Sequence, residues 1–167
     1  MNGNTRRQLI DAANKNNGFA IILLGTHLIN SQEDVEAGAN LIMHAADVKN
    51  VLWAKNLKLY LRTINQCELP IHYHALLDSD AREQLEIYVA ENDYWAMTIL
   101  GDLLYQGRVV AQDRETAEIL LGRAANSGCL YAKELVDVYG LSTTKAMTSD
   151  ILKKFKNTNN QRFWMLK

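Results

Sequence analysis

The sequence predicts an all-α superhelix, a solenoid of about three helix pairs closed by terminal capping helices, in one domain over residues 1–167. Three observations carry this. Proline occurs once, at Pro70, and apolar residues recur at i, i+3, i+4 and i+7, as in Leu85, Tyr88 and Val89 or Leu120, Leu121 and Ala124, which is the helical period. No stretch alternates as a strand would. Finally, an aromatic residue followed by alanine appears four times, at Phe19-Ala20, Trp53-Ala54, Trp95-Ala96 and Tyr131-Ala132. A small or apolar pair ends six to eight residues before each alanine: Ala12-Ala13, Ala45-Ala46, Val89-Ala90 and Ala124-Ala125.

The alanines of the four dipeptides are 34, 42 and 36 residues apart, a period typical of stacked helix pairs that bury their apolar faces on one another. Alanine lets two helices cross closely at little cost in helix propensity. The neighbouring aromatic can wedge between successive pairs, where burying it is worth roughly 2–3 kcal/mol. These landmarks give a first helix at about 4–15, then repeats at about 16–47, 51–91 and 93–126. Their helices fall at 17–30 with 32–47, 51–66 with 79–91, and 93–106 with 113–126. A helix at 129–140 and a C-terminal cap at about 148–167 complete the chain. Residues 67–78, CELPIHYHALLD, form a longer connection that stretches the middle period.

Composition limits the possible functions. Apolar residues make up 48% and charged residues 22% of the chain, as in a globular protein. The N-terminal MNGNTRRQLIDAANKNN has no apolar run after its basic residues and is not read as a secretory signal. Phe19 to Leu24, the longest apolar run, is too short to cross a bilayer, so no membrane association is expected. Cys67 and Cys129 are 62 residues apart and fit neither a zinc motif nor a disulfide framework, which favours a reducing, cytoplasmic location. From Lys145 onward six cations face Asp150 alone, so the tail carries +5 and the body −6 against an overall −1. An acidic body repels phosphates and makes nucleic acid an unlikely partner.

Within LGDLLYQGRVV, residues 100–110, Gly101 and Gly107 are followed by Arg108. Five residues separate the glycines and Arg-Val follows, whereas a phosphate-binding P-loop has four and then Lys-Ser or Lys-Thr. Gly101 is instead expected to permit close backbone approach, and Gly107 to end a helix.

The unit from Ala96 to Ala132 resembles the Sel-one-like repeat, a helix-pair family related to tetratricopeptide repeats. The resemblance rests on Ala96, Leu100, Gly101, Leu104 and Gly107 in the first helix, and on Val110 and Asp113 in the loop. Ala117, Leu120-Leu121, Arg123, Ala124-Ala125 and Gly128 carry it through the second helix. Val109 stands where the family has its second loop glycine. The first unit keeps Ala20, Leu24, Gly25, Leu28 and Ala45-Ala46 but has Ser31 at the closing glycine, and the middle unit keeps little beyond Ala54, Leu85 and Tyr88.

The resemblance implies a concave face lined by first helices that binds another protein, as an adaptor or as a dedicated inhibitor. An immunity protein that neutralises a bacterial toxin is one such role. On that basis Thr26, Asn56, Tyr60, Thr63, Thr98, Asp102, Tyr105 and Glu134 are the candidate protein-binding residues. The protein is read as a non-enzyme without cofactor, because no catalytic constellation is completed. Cys67 and Cys129 lack an orienting base and partner, and Glu83 with Glu86 has the spacing of a solvated helix face. Two alternatives remain. His72 and His74, with Glu68, Asp78 and Asp80 nearby, would serve a metal-dependent hydrolase, against an aromatic-rich loop that packs over the middle units. The basic tail with Phe155, Phe163 and Trp164 would serve nucleic-acid binding. The tail is otherwise a cap, with Thr148 or Ser149 starting a helix whose Ile151, Leu152 and Phe155 form one apolar stripe.

Overall fold

A computed structural model describes residues 1–64, 69–145, 148, 151 and 155. Among the described residues the fold is all-helical: eight α-helices, one 3-10 turn and no strand. They are α1 (Gly3–Asn14), α2 (Gly18–Asn30), α3 (Val35–Asp47), α4 (Leu52–Leu61), the 3-10 turn Tyr73–Leu76, α5 (Ser79–Ala90), α6 (Tyr94–Gln106), α7 (Arg114–Asn126) and α8 (Leu130–Tyr139). The chain divides into two compact units, one of Asn2–Arg82 and one from Glu83 onward, with α5 running through the boundary.

In the N-terminal unit α1 packs on α2, α2 on α3 and α3 on α4. In the C-terminal unit α6 packs on α7, and α8 lies against α7 and also touches α6. Helices α2 and α6 are the enclosed members. Their buried residues run unbroken from Phe19 to Thr26 and from Trp95 to Gly101, so they are apolar nearly all round. The α2–α3 crossing is backbone against backbone. A Cβ on Gly38 would lie 2.6 Å from the Gly25 carbonyl oxygen, and one on Gly25 would lie 3.0 Å from that of Gly38. At the matching place on α6, a Cβ on Gly101 would meet Leu121 Cγ of α7 at 2.8 Å, the close approach expected from the sequence.

The recurring sequence landmarks flank a recurring turn. Asn16, Asn50, Asn92 and Gly128 all have positive φ, at 63°, 53°, 64° and 98°. Each is followed by an N-cap residue (Asn17, Val51, Asp93, Cys129) with φ between −71° and −76° and ψ between 108° and 114°. The aromatic-alanine pair comes three and four residues after the left-handed residue in every case. At three of the turns the helix ends as a Schellman motif. The left-handed residue donates its N–H to Ala13, Val89 or Ala125, and the next residue donates to Ala12, Tyr88 or Ala124. Those acceptors include the small pairs read from the sequence. The Asn50 turn is one residue wider, with Val51 N–H donating to the Ala45 carbonyl. Asparagine tolerates the left-handed conformation where glycine is absent.

Asn17 and Asp93 strengthen their turns by accepting from two N–H groups of the next helix, at 3.0–3.1 Å. Asp34 and Asp113 cap α3 and α7 by each accepting from one N–H, that of Ala37 and that of Thr116, and Gly107, with φ 67°, ends α6 as expected. Val109 has φ 55°, so a β-branched residue holds the left-handed conformation at the loop position that the resembled family gives to glycine. Helix α4 stops at Leu61, short of the predicted 66. There Arg62 and Thr63 N–H groups turn back to carbonyls three residues earlier, and the Thr63 hydroxyl donates to the Tyr60 carbonyl at 2.8 Å.

Most of the predicted cap at 148–167 lies outside the described residues. Within it, the Ile151 N–H points at Thr148 Oγ1 at 3.4 Å, and Phe155 is buried. Residues 142–145 are held along one side of α7 by three side-chain bonds. Glu118 accepts from the Ser142 N–H (2.9 Å) and from Lys145 Nζ (2.8 Å), and Asn126 donates to the Thr143 carbonyl (2.7 Å).

Candidate protein-binding surface

Asp102 and Tyr105 come from the second half of α6 and are brought together with three residues the sequence reading missed: Gln106, Arg114 and Tyr139. The Tyr139 hydroxyl donates to Asp102 Oδ1, which also accepts from Gln106 Nε2 at 2.7 Å. Gln106 Nε2 reaches the Tyr139 oxygen at 2.8 Å as well. The rings of Tyr105 and Tyr139 stack with centroids 3.9 Å apart and 17° between planes. The Arg114 guanidinium carbon lies 5.0 Å from the Tyr105 ring centroid, within cation–π reach. Gln112 ties the α6–α7 loop to the same place by donating to the Tyr105 carbonyl at 2.9 Å.

The electrostatics follow from this geometry. Burial, then the hydrogen bond and charge of Asp102, push the Tyr139 phenol well above its ordinary value. It therefore stays a donor to the carboxylate at any ordinary pH. Asp102, Tyr105 and Tyr139 are half-buried, while Gln106 and Arg114 are exposed. The result is a hydrogen-bonded, stacked patch that combines two aromatic rings, a carboxylate, an amide and a guanidinium. The two tyrosine rings offer large contact area with few rotors to freeze, and tyrosine and arginine are enriched among the residues that dominate protein interfaces. The only local signal for the missed residues was Asp102–Gln106 at i, i+4. Tyr139 is 37 residues from Asp102 and joins it only because α8 touches α6.

Thr26 and Thr98 do not present side chains at the surface. They are 2% and 0% exposed on the enclosed helices α2 and α6. The Thr26 hydroxyl donates to the Ile22 carbonyl at 2.8 Å and that of Thr98 to the Tyr94 carbonyl at 2.7 Å. Thr98 also meets Cys129 Sγ at 3.4 Å, and burial pushes that thiol up. Apolar residues on every side of both threonines enclose them, so neither reaches the surface expected of it. Glu134 is half-buried on α8, and Thr63 is exposed at the end of α4.

On α4, Asn56 and Tyr60 share one face, four residues apart. Asn56 is spent on the chain's own connection: its Nδ2 donates to the Leu76 carbonyl and to Asp78 Oδ2, both at 3.0 Å. Trp53 Nε1 donates to the Tyr73 carbonyl at 2.9 Å, and its ring lies 5.5 Å from that of Tyr73. Asn30, at the end of α2, exchanges two hydrogen bonds with the Ile71 backbone. His72 is exposed, and the His74 ring lies tilted against that of Tyr73, with centroids 4.0 Å apart and 39° between planes. Among the described residues no three His, Cys, Asp or Glu side chains gather where a metal ion would be held; Cys67 and Glu68 lie outside them. No helix among the described residues is long and apolar enough to cross a membrane.

No family model, curated protein or solved structure matches this chain.

Proposed function

We propose that this chain is a superhelical module of Sel-one-like helix pairs that binds another protein, as an adaptor or a dedicated inhibitor, without catalysis or cofactor. The observation that carries the proposal is the patch of Asp102, Tyr105, Gln106, Arg114 and Tyr139. Core packing does not require a stacked tyrosine pair locked to a half-buried carboxylate at the surface, and a partner site gains from one. Support for the repeat architecture comes from the turn that recurs at Asn16, Asn50, Asn92 and Gly128 with the aromatic-alanine pair at constant offset. Neutralising a toxin, as an immunity protein does, is one form of the inhibitor role, and a cytoplasmic location suits either.

Quantitative affinity capture with the full chain tests the proposal, with the products of neighbouring genes co-expressed. A partner recovered at one-to-one stoichiometry is expected, and both Tyr105→Ala and Arg114→Glu should reduce its retention at least tenfold. Either change touches side chains outside the core, so unchanged helical content is expected in both. Recovery of no stoichiometric partner, or retention by both variants equal to that of the unaltered chain, would overturn the proposal.

A further inference from the structure

We infer that the α2–α4 face of the N-terminal unit is a peptide-binding groove, occupied in this chain by its own residues 71–77. Its ligand is a short peptide of a partner protein that makes one 3-10 turn, with one apolar side chain at the place of Ile71 and another six residues on at the place of Leu77.

The contacts that hold the connection have the character of ligand recognition. Four hydrogen bonds join the groove to its main chain, three donated by the groove and one accepted by it. Asn30 Nδ2 donates to the Ile71 carbonyl at 3.1 Å, and the Ile71 N–H donates to Asn30 Oδ1 at 2.6 Å. Trp53 Nε1 donates to the Tyr73 carbonyl and Asn56 Nδ2 to that of Leu76. An asparagine that both gives to and takes from one residue's backbone reads the peptide as a neighbouring strand would, whatever side chain it carries. Two apolar anchors complete the seat. Ile71 is 2% and Leu77 is 8% exposed, while His72 and Ala75 between them face solvent.

The occupant is also set apart from the helices around it. Apart from the single turn Tyr73–Leu76, residues 69–78 have no regular structure of their own. They belong to the connection that lengthens the middle spacing to 42 residues, against 34 and 36 on either side. The added residues thus cover a face that the bare helix pair would leave open. A covalently tethered occupant competes at an effective concentration of about a millimolar. A free peptide of equal affinity is therefore nearly excluded until the tether's own anchors are weakened.

This site rests on the N-terminal unit alone, so its test is separate from that of the tyrosine patch. The probe is a fluorescein-labelled synthetic peptide, LPIHYHALLD, which copies residues 69–78. Its binding to the full chain is measured by anisotropy, with and without the pair Ile71→Ala and Leu77→Ala. At least tenfold tighter binding by the loosened chain is expected, lost again when Asn30→Ala is added. Equal binding by both chains, or none by a loosened chain that keeps its helical spectrum, overturns the inference. Amide exchange on the unaltered protein covers the case in which the double variant does not fold. The Ile71 amide is expected to exchange at least a hundredfold faster than that of Leu57 in α4, by local opening. Equal rates would make the connection an integral part of the core and overturn the groove.

Discussion

Gly38→Ala tests the account of the α2–α3 crossing most directly. The added Cβ would sit 2.6 Å from the Gly25 carbonyl oxygen, 2.7 Å from Ile29 Cγ1 and 3.2 Å from the Ile29 nitrogen. Two of these three atoms are backbone, so no rotamer change relieves them. Ordinary contact begins at 3.4 Å, and reaching it from 2.6 Å requires the helices to part by about 0.8 Å. A gap of that size forfeits a quarter to a half of the dispersion at every contact along the seam, and overpacking of this kind costs about 2–3 kcal/mol. Alanine returns about 1 kcal/mol through its better helix propensity. The net is a loss of about 1–2 kcal/mol. With a slope near 1 kcal/mol per molar urea for a unit of this size, the midpoint falls by roughly 1–2 M. Trp53 fluorescence, in a Trp95→Phe, Trp164→Phe background, follows the N-terminal unit. Gly3→Ala is the control, since a Cβ there meets nothing within 4 Å, and it should leave the midpoint within about 0.5 M. A Gly38→Ala chain as stable as its parent would refute the backbone-on-backbone crossing.

Other expectations follow from single features. Val109→Gly relieves a β-branched residue at φ 55° and should raise stability by about 0.5–1 kcal/mol in thermal melts, net of the entropy glycine adds to the unfolded chain. Asn17→Ala and Asp93→Ala each remove a cap that serves two N–H groups and should each cost about 1 kcal/mol in the same assay. Tyr139 is raised in the folded state, so its contribution is fully present below the unfolded tyrosine value of about 10 and is lost as pH rises past it. The alkaline midpoint should therefore shift less steeply in Asp102→Asn, and ultraviolet titration should show Tyr139 ionising nearer its ordinary range. Glu118 is lowered by Lys145 and the Ser142 N–H, so its small contribution is present above about pH 4.5 and fades in acid. Glu118→Gln should remove that acid dependence and speed exchange at the Ser142 amide.

Much of the helical layout was legible because it depends on local chemistry. The aromatic-alanine pairs and the small pairs before them mark the two sides of a turn, and a Schellman geometry needs only an αL-tolerant residue between them. Asn16, Asn92 and Gly128 satisfy that condition. Helix lengths were less legible where a side chain intervened, as the Thr63 hydroxyl does at the end of α4. The candidate surface was legible by halves. Asp102 and Tyr105 could be placed on one helix face, whereas Thr26 and Thr98 carry the same polar label but lie inside, since their helices are enclosed. Asn30 and Trp53 gave no sign of their role, because the backbone they hold lies 41 and 20 residues away.

By itself, then, the sequence determined the all-helical class, where most of its helices start and stop, and Gly101 as a point of close helix approach. Those properties depend on i, i+3 and i, i+4 periodicity, on capping atoms within three residues and on the absence of a Cβ. Only the tertiary structure decided which polar side chains remain available. Tyr139 reaches Asp102 and the Asn30–Trp53–Asn56 set closes on residues 71–76 through contacts between segments distant in the chain. Local pattern carries no information about such distances, and packing supplies it.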